Sequence, residues 1–278
     1  MKDSYVSALN CQLATADWID GIAENMINMY TPGYRENQMT FKTHLDHAVL
    51  DGYLKNTSQG KSIPGTSPEN VFLEGQGFFV IRNDEGKVGY TILGEFKCDK
   101  AGVYRANDGS KVQGYVLNDK GEIMSGTKTI DQATFDETIA NGGTMSIPTT
   151  EIKLWIDPDN GKYLGKYDEF EFKGDGILYG KSNQGKDLTP LYKLSLANFH
   201  NPQGLFEYAP GQFVETEDSG KPVIGRGEVR SGLLELSNID FKANSTYYQE
   251  AQVQMELAKT LINSYKQQLQ SAIGLMAG

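Results

Sequence analysis

Both ends of this chain repeat apolar residues at steps of three and four, and the long middle does not. Near the N-terminus, Val6, Leu9, Leu13, Ala16, Ala23, Ile27 and Tyr30 keep the step, with Asp20 in the one missing place. Near the C-terminus, Ala251, Met255, Ala258, Ile262, Tyr265, Leu269, Ala272 and Met276 keep it throughout. An apolar heptad repeat marks a helix that lays one stripe against another helix. Two such segments in one chain can supply each other. The expected class is therefore α+β. N- and C-terminal heptad helices pair as a coiled coil, and a central, mainly antiparallel β domain lies between them.

Each helix carries a second stripe. Ile19, Ile22, Met26 and Met29 widen the first, and Val253, Leu257 and Leu261 widen the second. One partner covers one stripe, so the remaining faces call for further neighbours. Pro32 and Gly33 end the first helix after Tyr30. Asn244 or Ser245 is the expected N-cap of the second. From there to Met276 it spans roughly 45–50 Å at 1.5 Å per residue.

The middle reads as strands and turns. "VFLEGQGFFVIRNDEGKVGYTIL" gives two strands around Asp84–Gly86, and further turns are marked at Asn107–Gly109, Asp119–Gly121 and Asp159–Gly161. Asx-Gly between apolar runs is the strongest short-range hairpin signal. The expected organisation is an N-terminal helix and turn over 1–42, a polar linker or extended arm over 43–69, a β domain over 70–231, and a return segment with the C-terminal helix over 232–278. The 31 glycines and 15 tyrosines among 278 residues suit such a turn-rich domain.

Composition narrows the function. A net charge of −10 opposes nucleic-acid binding, which needs clustered Lys and Arg. No apolar run approaches the ~20 residues of a membrane span. "MKDSYVSALN" has no apolar h-region, so no cleaved secretory signal is expected. Cys11 and Cys98 make neither a disulfide framework nor a zinc site, and are read as one packing in a helix and one in a strand.

Candidate catalytic features resolve into plainer readings. Gly75-x-Gly77 is followed by strand residues, where a phosphate loop needs a helix. Asp157, Asp159 and Asp168 hint at a calcium loop, but Gly161 and Lys162 break its spacing, and a hairpin turn is the better reading. His44 and His47 could share a helical face, yet a third ligand is lacking nearby. There is no Gly-x-Ser-x-Gly, and neither cysteine has an obvious base. No enzyme activity, cofactor, metal or small-molecule substrate is expected.

Four motifs then carry a resemblance. The first is "DGIAENMINMYTPGYR", with Asp20, Ile22, Ala23, Asn25, Asn28, Thr31, Gly33, Tyr34 and Arg35 in its signature places. The second is "EGQGFFVI" with "YTILGEF", supplying Gly75, Gly77, Phe78, Phe79, Tyr90, Thr91, Gly94 and Phe96. The third is "FHNPQGL", with Asn201, Pro202, Gly204 and Leu205. The fourth is "SGLLELSNID", with Gly232, Glu235, Ser237, Asn238 and Asp240. In this order they span nearly the whole chain. The chain resembles the bacterial flagellar basal-body rod and hook family, and a rod protein most. Glu24 departs from the usual Asn, and the C-terminal helix lacks the family's Met-Ile-x-x-Gln-Arg-Ala-Tyr run.

The resemblance implies a structural subunit that polymerises into a helical tube and transmits torque from motor to hook. Its partners would be further copies of itself, other rod and hook proteins and the flagellar export apparatus. Its place would be the basal body, reached without a cleaved signal peptide. Leu9, Leu13, Asp20, Ile27, Met255, Ile262 and Leu269 are the expected assembly residues. Gly33, Tyr34 and Arg35 would shape the turn after the first helix. Gly75, Gly77 and Phe78 would shape the start of the β domain. Alternatives are a hook subunit and, from another class, a coiled-coil-tethered, adhesin-like β-domain binding protein.

Overall fold

A computed structural model describes residues 2–44, 47–126, 128–143, 147–154, 167, 169–182 and 187–277. It is α+β, with helices at both ends and a mainly antiparallel β core. The chain divides into two compact units: residues 1–58 with 237–278, and residues 59–236.

The first unit holds helix α1 (Lys2–Ile27), an antiparallel hairpin of β1 (Asn37–His44) and β2 (His47–Lys55), and the C-terminal helix Phe241–Ala277. The hairpin replaces part of the expected polar arm. A register shift between Thr40 and Phe41 bends it. Gly21 of α1 lets it come close, because a Cβ there would run into Met39 Cε and lie 3.1 Å from a ring carbon of Tyr53.

The two terminal helices pack side by side and run antiparallel. Tyr5 meets Tyr265 edge-on with ring centroids 6.4 Å apart, and Trp18 meets Tyr247 at the same separation. The α1 stripe turned inward differs from the one expected. Ala8, Thr15, Ile22 and Asn25 are buried on one face, with Cys11 and Trp18 half-buried between them. These positions also step by three and four. They are more polar than the Leu9–Leu13–Ile27 stripe, and Trp18 among them supplies the aromatic contact with Tyr247. On the C-terminal helix the expected stripe is turned inward from Ala251 to Tyr265, whereas Leu269 and Ala272 beyond it are exposed. Ala251, Ala258 and Ile262 are buried, and Met255 and Tyr265 are half-buried.

The second unit is built on a large antiparallel sheet. At its ends, β3 (Ser62–Pro64) pairs with Leu233–Glu235, and β4 (Val71–Glu74) pairs with Glu228–Ser231, tying entry to exit. Between them come β5 (Phe78–Arg82) and β6 (Val88–Thr91). The sheet runs Glu169–Phe172, Ile177–Ser182, Asp187–Leu194, Lys111–Val116, β5, β6, Gln212–Val214, Phe206–Ala209. Phe79, Val80 and Ile81 are buried in succession, as in a central strand covered on both faces. The turns at Gly86, Gly109 and Gly121 have φ of 85°, 84° and 82°, the left-handed geometry glycine adopts freely, and of the three only Gly109 directly follows an Asx residue. The Asp159–Gly161 turn lies outside the described residues.

A short helix, α2 (Gln132–Ala140), interrupts a stretch expected to be all strand. Asp131 caps it by accepting from Thr134 N–H at 2.9 Å. Phe135, its one buried residue, stacks edge-on with Tyr115 at 5.6 Å. The C-terminal helix is then α3. Asp131→Ala should lower the stability of this unit by about 1 kcal/mol, the usual loss for an N-cap. Urea unfolding of the purified chain would measure it, and an unchanged midpoint would remove the cap from the account.

Candidate assembly site

The first motif converges on one buried hydrogen-bond network in the helical unit. Helix α1 ends at Ile27, one turn short of Tyr30: Asn28 N–H still bonds four residues back to Glu24 O, but the backbone amides of Met29 and Thr31 bond only three back, to Met26 O and Asn28 O, which tightens the chain into turns. The Asn28 amide reaches Glu24 O at 3.0 Å, and Thr31 Oγ1 reaches Asn28 Oδ1 at 3.1 Å. Gly33 follows at φ 66°, where a side chain would be strained. The chain then reverses, and Tyr34 lies back over the end of α1.

Asn25 is the hub, 2% exposed. Its Oδ1 accepts from Asn37 N–H at 2.9 Å and Tyr34 O–H at 3.3 Å. Its Nδ2 donates to Asn37 O at 2.9 Å and to Asn244 Oδ1 at 3.3 Å. One side chain therefore joins α1, the turn, β1 and α3. Asn238 does the same for the return segment. Its Oδ1 accepts from Glu36 N–H at 2.8 Å, and its Nδ2 donates to Asn56 O at 2.8 Å and Ser58 O at 2.7 Å. Arg35 Nη1 also donates to Ser58 O, at 2.5 Å. Lys55 Nζ stands 5.3 Å from the centre of the Tyr34 ring, within cation–π range.

Asp240 starts α3. Its Oδ1 accepts from Lys242 N–H at 2.9 Å and Ala243 N–H at 3.2 Å. This corrects the expected N-cap: Asn244 and Ser245 lie inside the helix. Asn244 is instead 1% exposed and donates to Glu36 Oε1 at 2.7 Å. Glu36, Asn37 and Asn56 belong to this network and were not singled out from sequence, and Asn244 was read there only as a cap. A signal existed for Asn244, since it stands seven residues before Ala251 on the same stripe.

The other motif residues shape the β unit. Gly75 and Gly77 have φ of 113° and 155°. Phe78 packs edge-on against Phe199 and Phe213 at 5.8 and 5.4 Å, and Phe79 against Phe96 at 5.2 Å. Asn201 Nδ2 donates to Asp218 O at 3.1 Å, Pro202 opens a short 3-10 turn, and Leu205 packs against the Tyr90–Phe199–Phe213 cluster. Gly204 passes so close to Asp218 that a Cβ would sit 2.6 Å from its carbonyl carbon. Glu235 accepts from Gly60 N–H at 2.7 Å, and Ser237 Oγ accepts from Ile239 N–H at 3.3 Å.

The expected assembly residues fall into two groups. Leu9, Leu13 and Ile27 are 39%, 58% and 80% exposed, and Leu269 is 51% exposed. Asp20 is exposed beside them. Ile262 is buried within the unit and Met255 is half-buried, so these two serve the contact between α1 and α3.

Among the described residues, no cluster of three or more His, Cys, Asp or Glu is placed to hold a metal. His44 and His47 are backbone partners in the hairpin register and do not share a helix. Asp157, Asp159 and Asp168 lie outside the described residues. Cys11 sits half-buried in α1 and Cys98 half-buried in a strand. Burial, with Glu69 and Asp99 nearby, pushes the Cys98 thiol up to about 12.

Comparison with known proteins gives the same direction. Residues 72–147 match the family described as the flagellar hook protein FlgE/F/G D1 domain. The chain is 23% identical to the flagellar basal-body rod protein FlgG of Bacillus subtilis, with 92% of each chain covered. It is 24% identical to the protein of the same name from Buchnera aphidicola, with 90% of each covered. It is 32% identical to the flagellar hook protein FlgE of Borreliella burgdorferi, over 37% of this chain and 26% of that one.

Proposed function

We propose, on the premise that this chain is a flagellar rod- and hook-type protein most like the rod proteins, that it is a structural subunit of the basal-body rod. The relatives' names support a flagellar structural protein, and their full-length match favours the rod. Copies join through heterologous, non-closing contacts into a helical tube. The terminal helices, paired as a coiled coil, form its inner layer and the β unit its outer layer. The tube carries torque from motor to hook, and its subunits pass the flagellar export apparatus on the way.

One observation carries this reading. The larger apolar stripe of α1, with Leu9, Leu13 and Ile27, stays exposed while a smaller stripe makes the contact with α3. On α3, Val253, Leu257 and Leu261 are likewise 61%, 61% and 51% exposed. Two long apolar stripes left in water on one helix pair mark an interaction surface. A helical tube covers both.

The test uses two substitutions with different expected results. Leu13→Asp should leave the circular dichroism of the purified chain unchanged, yet abolish polymerisation and motility in a complemented deletion strain. Ile262→Asp places a charge in a buried contact and should cost about 3–5 kcal/mol in the helical unit. Full motility with Leu13→Asp would sink the proposal. A hook subunit is the second reading, favoured by the higher local identity to hook proteins. Electron microscopy of basal bodies from a deletion strain separates the two. A truncated rod supports the first, and a complete rod lacking the hook supports the second.

A further inference from the structure

A cavity of about 510 Å³ lies in the helical unit between α1, β1 and the start of α3. Trp18, Ile22, Met39 and Tyr247 form its apolar part, and Glu36 and Asp240 its acidic part. Glu36 is 8% exposed. Its carboxylate is held by amides alone, from Asn244 at 2.7 Å, Asn56 at 3.1 Å and Gln38 at 3.3 Å. An ionised carboxylate has about four acceptor places. One therefore remains, and among the described residues the bonds already made to the Glu36 carboxylate come from uncharged amides. Asp240 commits Oδ1 to the helix amides, which leaves its second oxygen for another donor. A carboxylate held this deep, beside two aromatic faces, suits a cation carried on an apolar stem.

The far end of the same helix pair offers such a group. Tyr5 stands opposite Tyr265, and α1 begins at Lys2 while α3 continues to Ala277. So α3 runs past α1 by about nine residues, roughly 13 Å at 1.5 Å per residue. Leu269, Ile273 and Leu275 on that stretch are 51%, 65% and 86% exposed. Lys266, Leu269 and Ile273 are spaced i, i+3, i+7 and share one face. Lys266 itself is exposed.

We infer that the overhanging end of α3 from a second copy docks in this cavity. Leu269 and Ile273 lie against Trp18, Met39 and Tyr247, and Lys266 reaches Glu36 and Asp240. Socket and plug sit at opposite ends of one helix pair, so the contact is head-to-tail and repeats without closing. Charge complementarity favours this occupant: in a chain of net charge −10, an acidic socket repels most other surfaces of a second copy.

The inference rests on the self-assembly reading above, and its test is separable from that reading. A photo-cross-linking phenylalanine analogue would replace Gln38, an exposed residue at the cavity. Irradiation of the assembled full-length chain should join it to residues 266–277 of a second copy. Lys266→Glu should reduce that adduct by about tenfold or more, with unchanged circular dichroism, and Lys266→Arg should keep it. Polymers whose Gln38 adducts map to another segment, or only within one copy, would overturn the socket and leave the rod reading standing. Lys266→Glu with undiminished adduct would overturn the role of the charge.

Discussion

Asn25→Ala should cost the helical unit about 4 kcal/mol, a value reached by summing unmade buried hydrogen bonds at 1–3 kcal/mol each. Asn25 donates to Asn37 O and Asn244 Oδ1, and accepts from Asn37 N–H and Tyr34 O–H. Truncation leaves those partners unpaired at the wall of the cavity that Asn25 lines with Asn37 and Asn244. Asn244 keeps its bond to Glu36, and Tyr34 O–H still accepts from Asn37 Nδ2 at 3.2 Å, so the loss falls short of the full sum. The expected readout is hydrogen exchange. Protection should fall over residues 20–58 and 237–250 and persist over residues 59–236. Uniform loss in both units, or no loss at all, would remove Asn25 as the hub.

Gly94→Ala should destabilise the β unit by about 3 kcal/mol, the upper range for overfilling a packed site. The φ of Gly94 is not the reason. A Cβ at this position would overlap the carbonyl oxygen of Val71, a backbone atom that cannot swing aside. The two segments are already bonded there, since Val71 N–H donates to Gly94 O at 2.9 Å. Any shift would open that bond and disturb Phe96, which is fully buried edge-on against Phe79. The thermal midpoint of the unit should fall by roughly 6–12 °C for its size. A midpoint lowered by less than about 2 °C would mean the two segments can part freely. Gly211→Ala bears on Leu93 side-chain atoms instead of backbone, and it changes a left-handed position, so it is a poor substitute for this test.

How far the sequence could be read depended on the range of each signal. The Asp84–Gly86, Asn107–Gly109 and Asp119–Gly121 turns were legible because a left-handed φ at a turn glycine, two residues after an Asx, is a local requirement. The α3 stripe was legible because Ala251, Ala258 and Ile262 combine periodicity with apolarity. The β1–β2 hairpin was not. Its hydrogen-bond anchor is Asn25, twelve residues before Asn37 and on a helix, so its own residues read as a polar arm. Helix α2 was missed because nine residues with one buried side chain carry little periodicity, although the Asp131 cap was there to be read.

The first helix shows where periodicity misleads. Two stripes of α1 keep the same three-four step, and apolarity favoured the one through Leu9 and Leu13. The fold buries the other, through Ala8, Thr15, Ile22 and Asn25. Hydrophobicity ranks stripes by the water they expel, but it does not register which rings meet across the helix pair or which amides find partners.

From the sequence by itself followed two terminal helices, a turn-rich antiparallel middle and four motifs in order. These are local in origin: periods, turn dihedrals and short signatures read within one segment. Only the tertiary structure decided which stripe of α1 faces α3, and that Asn25, Glu36, Asn238 and Asn244 share one network. Those choices join residues up to 219 positions apart, such as Asn25 and Asn244. Their free energy comes from shape and hydrogen-bond geometry between segments, which no single segment contains.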